Sequence, residues 1–447
     1  MKPIMALAAE LAARKTSSQA LIEDALTRIA APAGEGVRVF LRTHRESALA
    51  EAKASDELRA HGIVPSPLAG IPVSVKDLFD VAGDITRAGS KVLADAAPAA
   101  SDATAVRRLR QAGAIIVGRT NMVEFAFSGL GLNPHYGTPR NPWDRATGRI
   151  PGGSSSGAAV SVADGMAAMG LGSDTGGSVR IPAALCGLTG FKPTARRIAT
   201  DGTFPLSTTL DSIGPIARSV ACCALVDSIL AGVAAQVPPP LPLKGLRLGV
   251  VQDYVLDGLD SAVAAAFAAA LTRLSRAGAL VSELRFEALR RLPQINHKGG
   301  LVVAEAYALH RDLLARREAE YDPRVASRTL RGADISAADY IDVLTQRAAL
   351  IAESARIAAP FDALLMPTVT MVAPAIAPLE TDDGLYGRTN LAMLRNPSVV
   401  NFLDGCALTL PCQAPDTAPV GLMLVGQGGE DRRLLAVGLA LEAALRA

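Results

Sequence analysis

Histidine, lysine and the aromatic residues are scarce in this chain. Of 447 residues, five are histidine, eight of the 45 basic residues are lysine, and 4% are aromatic. No HExxH is present and no histidine sits in a Cys/His cluster, so neither a protein-held metal nor a cofactor is expected. The five cysteines (Cys186, Cys222, Cys223, Cys406 and Cys412) are odd in number, irregularly spaced and without a CxxC. That usage points to reduced, mostly buried thiols in a reducing compartment. Neither sign of charge prevails: 45 basic residues face 43 acidic ones, a net of +2. This balance gives no reason to expect direct contact with nucleic acid or with a membrane. No run of 18 uncharged apolar residues is present, and the N-terminal MKPIMALAAELAARKTSSQ, broken by Glu10 and Arg14, is not a signal peptide. A cytoplasmic location follows. Neither GxxxxGK[ST] nor a GxGxxG after a strand occurs, which argues against nucleotide binding.

What is abundant is alanine and branched aliphatics within a 49% hydrophobic composition. That excludes a disordered chain, and the length suffices for a large core. Length alone suggests two or three domains. Residues 4–60 read as helices, with N-caps offered by Thr16 to Ser18. From residue 69 short apolar runs alternate with helical stretches. The candidate strands are 71–75, 114–117, 167–171, 246–251, 279–283, 363–366, 407–410 and 420–425. The candidate helices between them are 103–112, 154–163, 219–231, 261–277 and 430–446. Such alternation predicts an α/β fold with a covered, largely parallel sheet. The Pro-rich PPPLPLKG at 238–245 reads as a linker, and 300–360 as a charged helical cap or insertion.

The segment at 147–194 is unusual, because glycine and serine cluster twice, at 152–157 and 172–178. Gly-Gly pairs permit sharp turns and close approach to a ligand, and turn N–H groups can converge on an anion. Four readings compete here. A phosphate loop lacks its motif. Residues 153–157 satisfy GxSxG, yet the preceding TGRIPG is not strand-like, and the downstream His297 and His310 lie in helical sequence. The bland alternative is a Gly/Ser turn. The last reading joins both clusters to Lys76, which ends an apolar run in GIPVSVKD (70–77). A serine nucleophile needs a base, and with histidine scarce a neutral lysine is the natural candidate. Lowering a lysine from about 10.4 by about 3 pH units costs about 4 kcal/mol, which burial can supply. A Lys76–Asp77 surface ion pair stands against it.

Together these stretches resemble the amidase signature family: GIPVSVKD (70–77), GGSSSG (152–157), GSDTGGS (172–178), FKPT (191–194) and LDSIGP (210–215), with Arg180, Pro182, Ala183, Cys186 and Gly187 between them. GRTNMVEF (118–125) and RNPW (140–143) also fit, and a weaker likeness returns at 361–446. The resemblance implies a Ser-cisSer-Lys triad, with Ser178 as nucleophile, Ser154 as the bridging serine after a cis peptide, and Lys76 as base. It implies an oxyanion hole from the backbone of Thr175, Gly176, Gly177 and Ser178, and substrate binding by Met122, Phe125 and Gly153. The 24-residue spacing from Ser154 to Ser178 selects Ser154 over Ser155. Asp174 and Arg180 are expected to shape the glycine loop. Tyr307, Tyr321 and Arg324 fall in the variable region, and Cys186 reads as packing. Departures are Ser156-Gly157-Ala158 in place of the family's Gly-Gly-Ser, Arg119 where lysine is common, and Cys222 where an acid is common.

The resemblance implies one amidase domain over 1–447, on a large mixed, mostly parallel central sheet with helices on both faces. Its parts are a helical region at 1–65, a signature core at 69–220, a variable helical region at 240–360, and the remainder of the core at 361–447. It implies hydrolysis of a C–N bond in a small amide. The alternative is the glutaminase component of a tRNA-dependent amidotransferase. The helical N-terminal region and Ala-rich faces allow a homodimer.

Overall fold

The structure, a computed structural model, describes residues 1–446. Eleven strands form one sheet: β1 (Phe40–Thr43), β2 (Pro72–Lys76), β3 (Ile115–Thr120), β4 (Met169–Asp174), β5 (Thr189–Lys192), β6 (Ser212–Ala217), β7 (Arg247–Val251), β8 (Leu280–Leu284), β9 (Ala363–Pro367), β10 (Cys406–Pro411) and β11 (Gly421–Gly426). Their spatial order is β1-β3-β2-β4-β6-β5-β10-β11-β9-β7-β8. The eight strands expected from apolar runs are all present; β1, β5 and β6 come in addition to them. The sheet is mixed. Parallel pairing falls in two blocks, β3-β2-β4 and β8-β7-β9. Between the blocks β6, β5, β10 and β11 pair antiparallel.

Helices cover both faces, and the strands show it by alternation. In β3, Ile115 and Val117 pack with residues of the helices Ser18–Ala30, Arg45–Ala60 and Ser156–Ala163. Ile116, pointing the other way, joins Val73 and Val75 of β2 against Thr104–Gln111, Val220–Ala231 and Asp431–Arg446. Because both faces are covered, β2 is buried along its whole length. Ser74 faces the helix Ser156–Ala163, with its Oγ 2.8 Å from Ser161 Oγ. Lys76, two residues on, takes the same side and meets the turn that opens that helix.

The Pro-rich 238–245 stretch runs without regular structure between Val220–Ala231 and β7, as a linker should. Beyond β8 the chain leaves the sheet for the helices Gly300–Arg317, Pro323–Leu330 and Ala337–Ala358. The last of these starts on a reciprocal capping box between Ser336 and Asp339. A 20-residue helix, Asp383–Phe402, lies between β9 and β10, where the sequence pattern gives no helix. Among the described residues no helix is long and apolar enough to cross a membrane.

Candidate active site

The two Gly/Ser clusters and Lys76 converge at the carboxyl ends of β2 and β4, neighbouring parallel strands. This is the edge of an α/β sheet where ligands bind, beside the point at which pairing changes direction from β2–β4 to β4–β6. Lys76, the last residue of β2, is fully buried. Its Nζ donates to Ser154 Oγ and to Ser173 Oγ, each at 2.8 Å. It makes no ion pair among the described residues. The neighbouring Asp77 is taken by Arg119, whose Nε stands 2.8 Å from Asp77 Oδ1, so the Lys76–Asp77 pair does not form. Burial without a counter-ion drives the Lys76 ammonium down to about 7, against the upward pull of Asp211 and Asp174.

Ser154 follows a cis peptide bond from Gly153. Its carbonyl accepts from Val123 N at 3.1 Å. Gly153 has to be glycine, because a Cβ there would stand 2.6 Å from the backbone nitrogen of Gly131. Ser178 ends the second cluster. Its carbonyl accepts from Ser155 N at 3.2 Å, which ties the two Gly/Ser turns together. Its hydroxyl has no partner among the described residues and lines a cavity of about 660 Å³.

The loop leading to Ser178 is built on Asp174. Its carboxylate accepts from Gly177 N at 2.9 Å, from Val179 N at 3.1 Å and from Arg180 Nη2 at 2.8 Å. Burial opposes the Asp174 charge, and Arg180 more than offsets it, so the carboxyl lies well below the usual range. Asn401 joins the pair, donating to Asp174 Oδ1 at 3.0 Å and accepting from Arg180 at 2.6 Å. The expected loop-shaping by Asp174 and Arg180 takes this form. Of the expected oxyanion set, Gly177 gives its N–H to Asp174 and does not line the cavity. Thr175, Gly176 and Ser178 do line it, and their N–H groups have no acceptor among the described residues. Thr175 Oγ1 donates to Asp211, and burial raises the Asp211 carboxyl to about 6 against that bond, two backbone N–H groups and Lys76.

The arrangement matches known proteins along nearly its whole length. The amidase family model matches residues 20–435. The chain belongs to the amidase family. It is 38% identical to a 2-amino-5-chloromuconic acid deaminase from Comamonas testosteroni, over 88% of this chain and 85% of that one. It is 34% identical to a glutamyl-tRNA(Gln) amidotransferase component from Chloroflexus aggregans, over 96% and 93%. A solved amidase structure superposes with a TM-score of 0.88 at 34% identity, covering 99% of both chains. The expected family, fold and reaction class therefore stand: this amidase is a hydrolase of amide C–N bonds.

Within the amidase the residues expected to bind substrate fall elsewhere. Met122 is wholly buried, and Phe125 packs against Phe204, His310 and Tyr321 at centroid distances of 5.2, 4.4 and 5.3 Å. Neither these two nor Gly153 lines the cavity; the next residues, Ala126, Phe127 and Ser128, do. Tyr307, Tyr321 and Arg324 also lie outside its wall, Tyr321 in the aromatic cluster and Arg324 paired with Asp383 at 2.7 Å. Cys186 is buried, its Sγ facing Pro151 O at 3.4 Å, and burial pushes its thiol far up, as suits packing. The wall also holds residues that the sequence pattern does not single out: Asn390, Ser398 and Asn401 from Asp383–Phe402, and Arg328 from the helical region. The GSDTGGS run did contain Ser173, the second partner of Lys76.

Proposed function

We propose that this amidase cleaves a small amide through an acyl-enzyme on Ser178, with Ser154 and Lys76 as its proton relay. The observation that carries this reading is Lys76: a buried lysine, held on two serine hydroxyls, with no ion pair and an ammonium lowered to about 7. When neutral, Nζ accepts the Ser154 proton through its lone pair and keeps an N–H on Ser173 Oγ. Ser154 accepts the Ser178 proton as Ser178 Oγ attacks the amide carbonyl. The oxygen then becomes an anion, and the free N–H groups of Thr175, Gly176 and Ser178 supply its donors. As the C–N bond breaks, the relay returns its proton to the leaving nitrogen. Water attacks the ester and gives a proton to the relay, which passes it to Ser178 Oγ as the ester C–O bond breaks and the acid leaves as its carboxylate.

Ser178→Ala, Ser154→Ala and Lys76→Ala are expected to lower kcat on an amide panel by about 10⁴ or more. Ser178→Ala should also abolish covalent labelling by a fluorophosphonate. Wild-type turnover in any of the three would overturn the mechanism. The Comamonas relative is named for an acid, 2-amino-5-chloromuconic acid, which supports a small-molecule substrate. The Chloroflexus relative favours a second reading, a glutaminase that works with partner chains. Assay of the isolated chain separates the two. Glutamine turned over in preference to every other amide in the panel would support the second.

A further inference from the structure

The cavity in front of Ser178 is rich in cations and bare of acids. Arg328, Arg331 and Arg395 line it, and no aspartate or glutamate does among the described residues. Arg395 is committed to structure. Its Nε bonds Asn396 Oδ1, and its two terminal nitrogens bond the carbonyls of Val255 and Asp257. The other two arginines are not so committed. Arg328 lies over the Phe127 ring, its guanidinium carbon 5.1 Å from the centroid, and donates to Phe127 O. That fixes the side chain without neutralising it, for no carboxylate pairs with it among the described residues. Phe127 sits between Ala126 and Ser128 in the cavity wall, so the cation is docked on the wall itself. The guanidinium of Arg331, one helical turn further on where Pro323–Leu330 passes into Arg331–Asp334, has no hydrogen-bond or ion-pair partner among the described residues. A third donor comes from Asn390. Its Oδ1 accepts from Ser128 Oγ and Gly129 N, both at 2.9 Å, which assigns the oxygen and leaves the amide nitrogen unpaired. Asn390 is buried and lines the same cavity.

A wall with two held donors, Arg328 and Asn390, an exposed and unpaired Arg331 beside them, and no facing acid is complementary to a carboxylate, which an arginine fork grips through two charge-assisted bonds. We propose, resting on the acyl-enzyme reading above, that the substrate is an acid as well as an amide, and that Arg328 and Arg331, with the Asn390 amide, bind its carboxylate while the amide carbonyl lies at Ser178.

The test uses Ser178 as its own reporter. The full chain is labelled with a fluorophosphonate in the presence of succinate, glutarate or adipate, or of the matching diamide. At least one dicarboxylate is expected to protect at a concentration about 10- to 100-fold lower than its diamide, the range of a charged hydrogen bond. Arg328→Met and Arg331→Met should each shrink that ratio about tenfold or more, and Arg328→Lys should restore part of it. Arg331→Met loses no bond within the protein, so it tests the subsite even if Arg328→Met misfolds. Equal protection by acids and diamides at every chain length would overturn the proposal, as would an unchanged ratio in Arg331→Met. Labelling that survives Ser178→Ala would instead defeat the nucleophile assignment beneath it.

Discussion

The proposed chemistry of this amidase turns on one lysine whose charge the fold withholds. Lys76 is buried, bonded only to hydroxyls, and lowered to about 7. The base must be neutral, so kcat/KM should rise with pH, about tenfold per pH unit below 7, and level off above it. A profile flat down to pH 5 would exclude Lys76 as the base. Asp211 holds the Lys76 value up, so Asp211→Asn should move the rising limb to lower pH. A limb that stays in place, or moves upward, would show that Asp211 does not act on Lys76 through its charge. As a candidate base Lys76 stood out in the sequence because the chain is poor in alternatives: five histidines and eight lysines leave few bases to consider. Gly153 was expected to bind substrate, whereas the constraint the structure puts on it is a contact with the backbone of Gly131, which the sequence does not show. The wall of the cavity was not legible in the same way. Phe125 and Phe127 are alike in type, and only the turn at Phe125 to Ala126, both at positive φ, decides which ring faces the aromatic cluster and which faces the cavity.

At the level of elements, strands with unbroken apolar runs could be read directly, because burial on both faces leaves no polar alternation to confuse them. β5 and β6 escaped because TGFK is short and SIGPIA carries both glycine and proline. The helix Asp383–Phe402 escaped for a different reason. It contains Gly384, Gly387 and Pro397, and part of its buried face is polar: Asn390, Asn396 and Asn401. Those asparagines make sense only once their partners arrive from elsewhere in the chain, Asn390 with Ser128 and Gly129, Asn401 with Asp174 and Arg180. The helix thus braces the loop that carries Ser178. Asn401→Ala should lower stability to urea by about 1–3 kcal/mol, since it strips partners from a buried ion pair. It should also lower kcat by loosening the loop that presents Ser178. Lost stability with kcat unchanged would mean that Arg180 and the backbone N–H groups suffice to hold the loop.

For the whole molecule the proposed base is a burden on folding. Unfolded, Lys76 titrates near 10.5; folded, it titrates near 7. Between those values the unfolded chain binds a proton that the native protein does not, so Lys76 makes stability rise with pH across this window. Below 7 both states are charged and the penalty is at its full, constant size. Buried cysteines act in the opposite sense, because burial raises their thiols and the unfolded chain loses those protons first. A pH series on the wild type alone would mix the two effects. The difference between wild type and Lys76→Met isolates the lysine, since methionine fills similar space without a charge. Lys76→Met should be inactive yet more stable than wild type at pH 7. Its advantage should narrow by about 2 kcal/mol when urea denaturation is repeated at pH 9, because removing the lysine proton costs less as pH nears the unfolded value. A variant no more stable than wild type at pH 7, or an advantage that does not change with pH, would mean that the fold does not hold Lys76 neutral. In that case the proposed relay would lose its base.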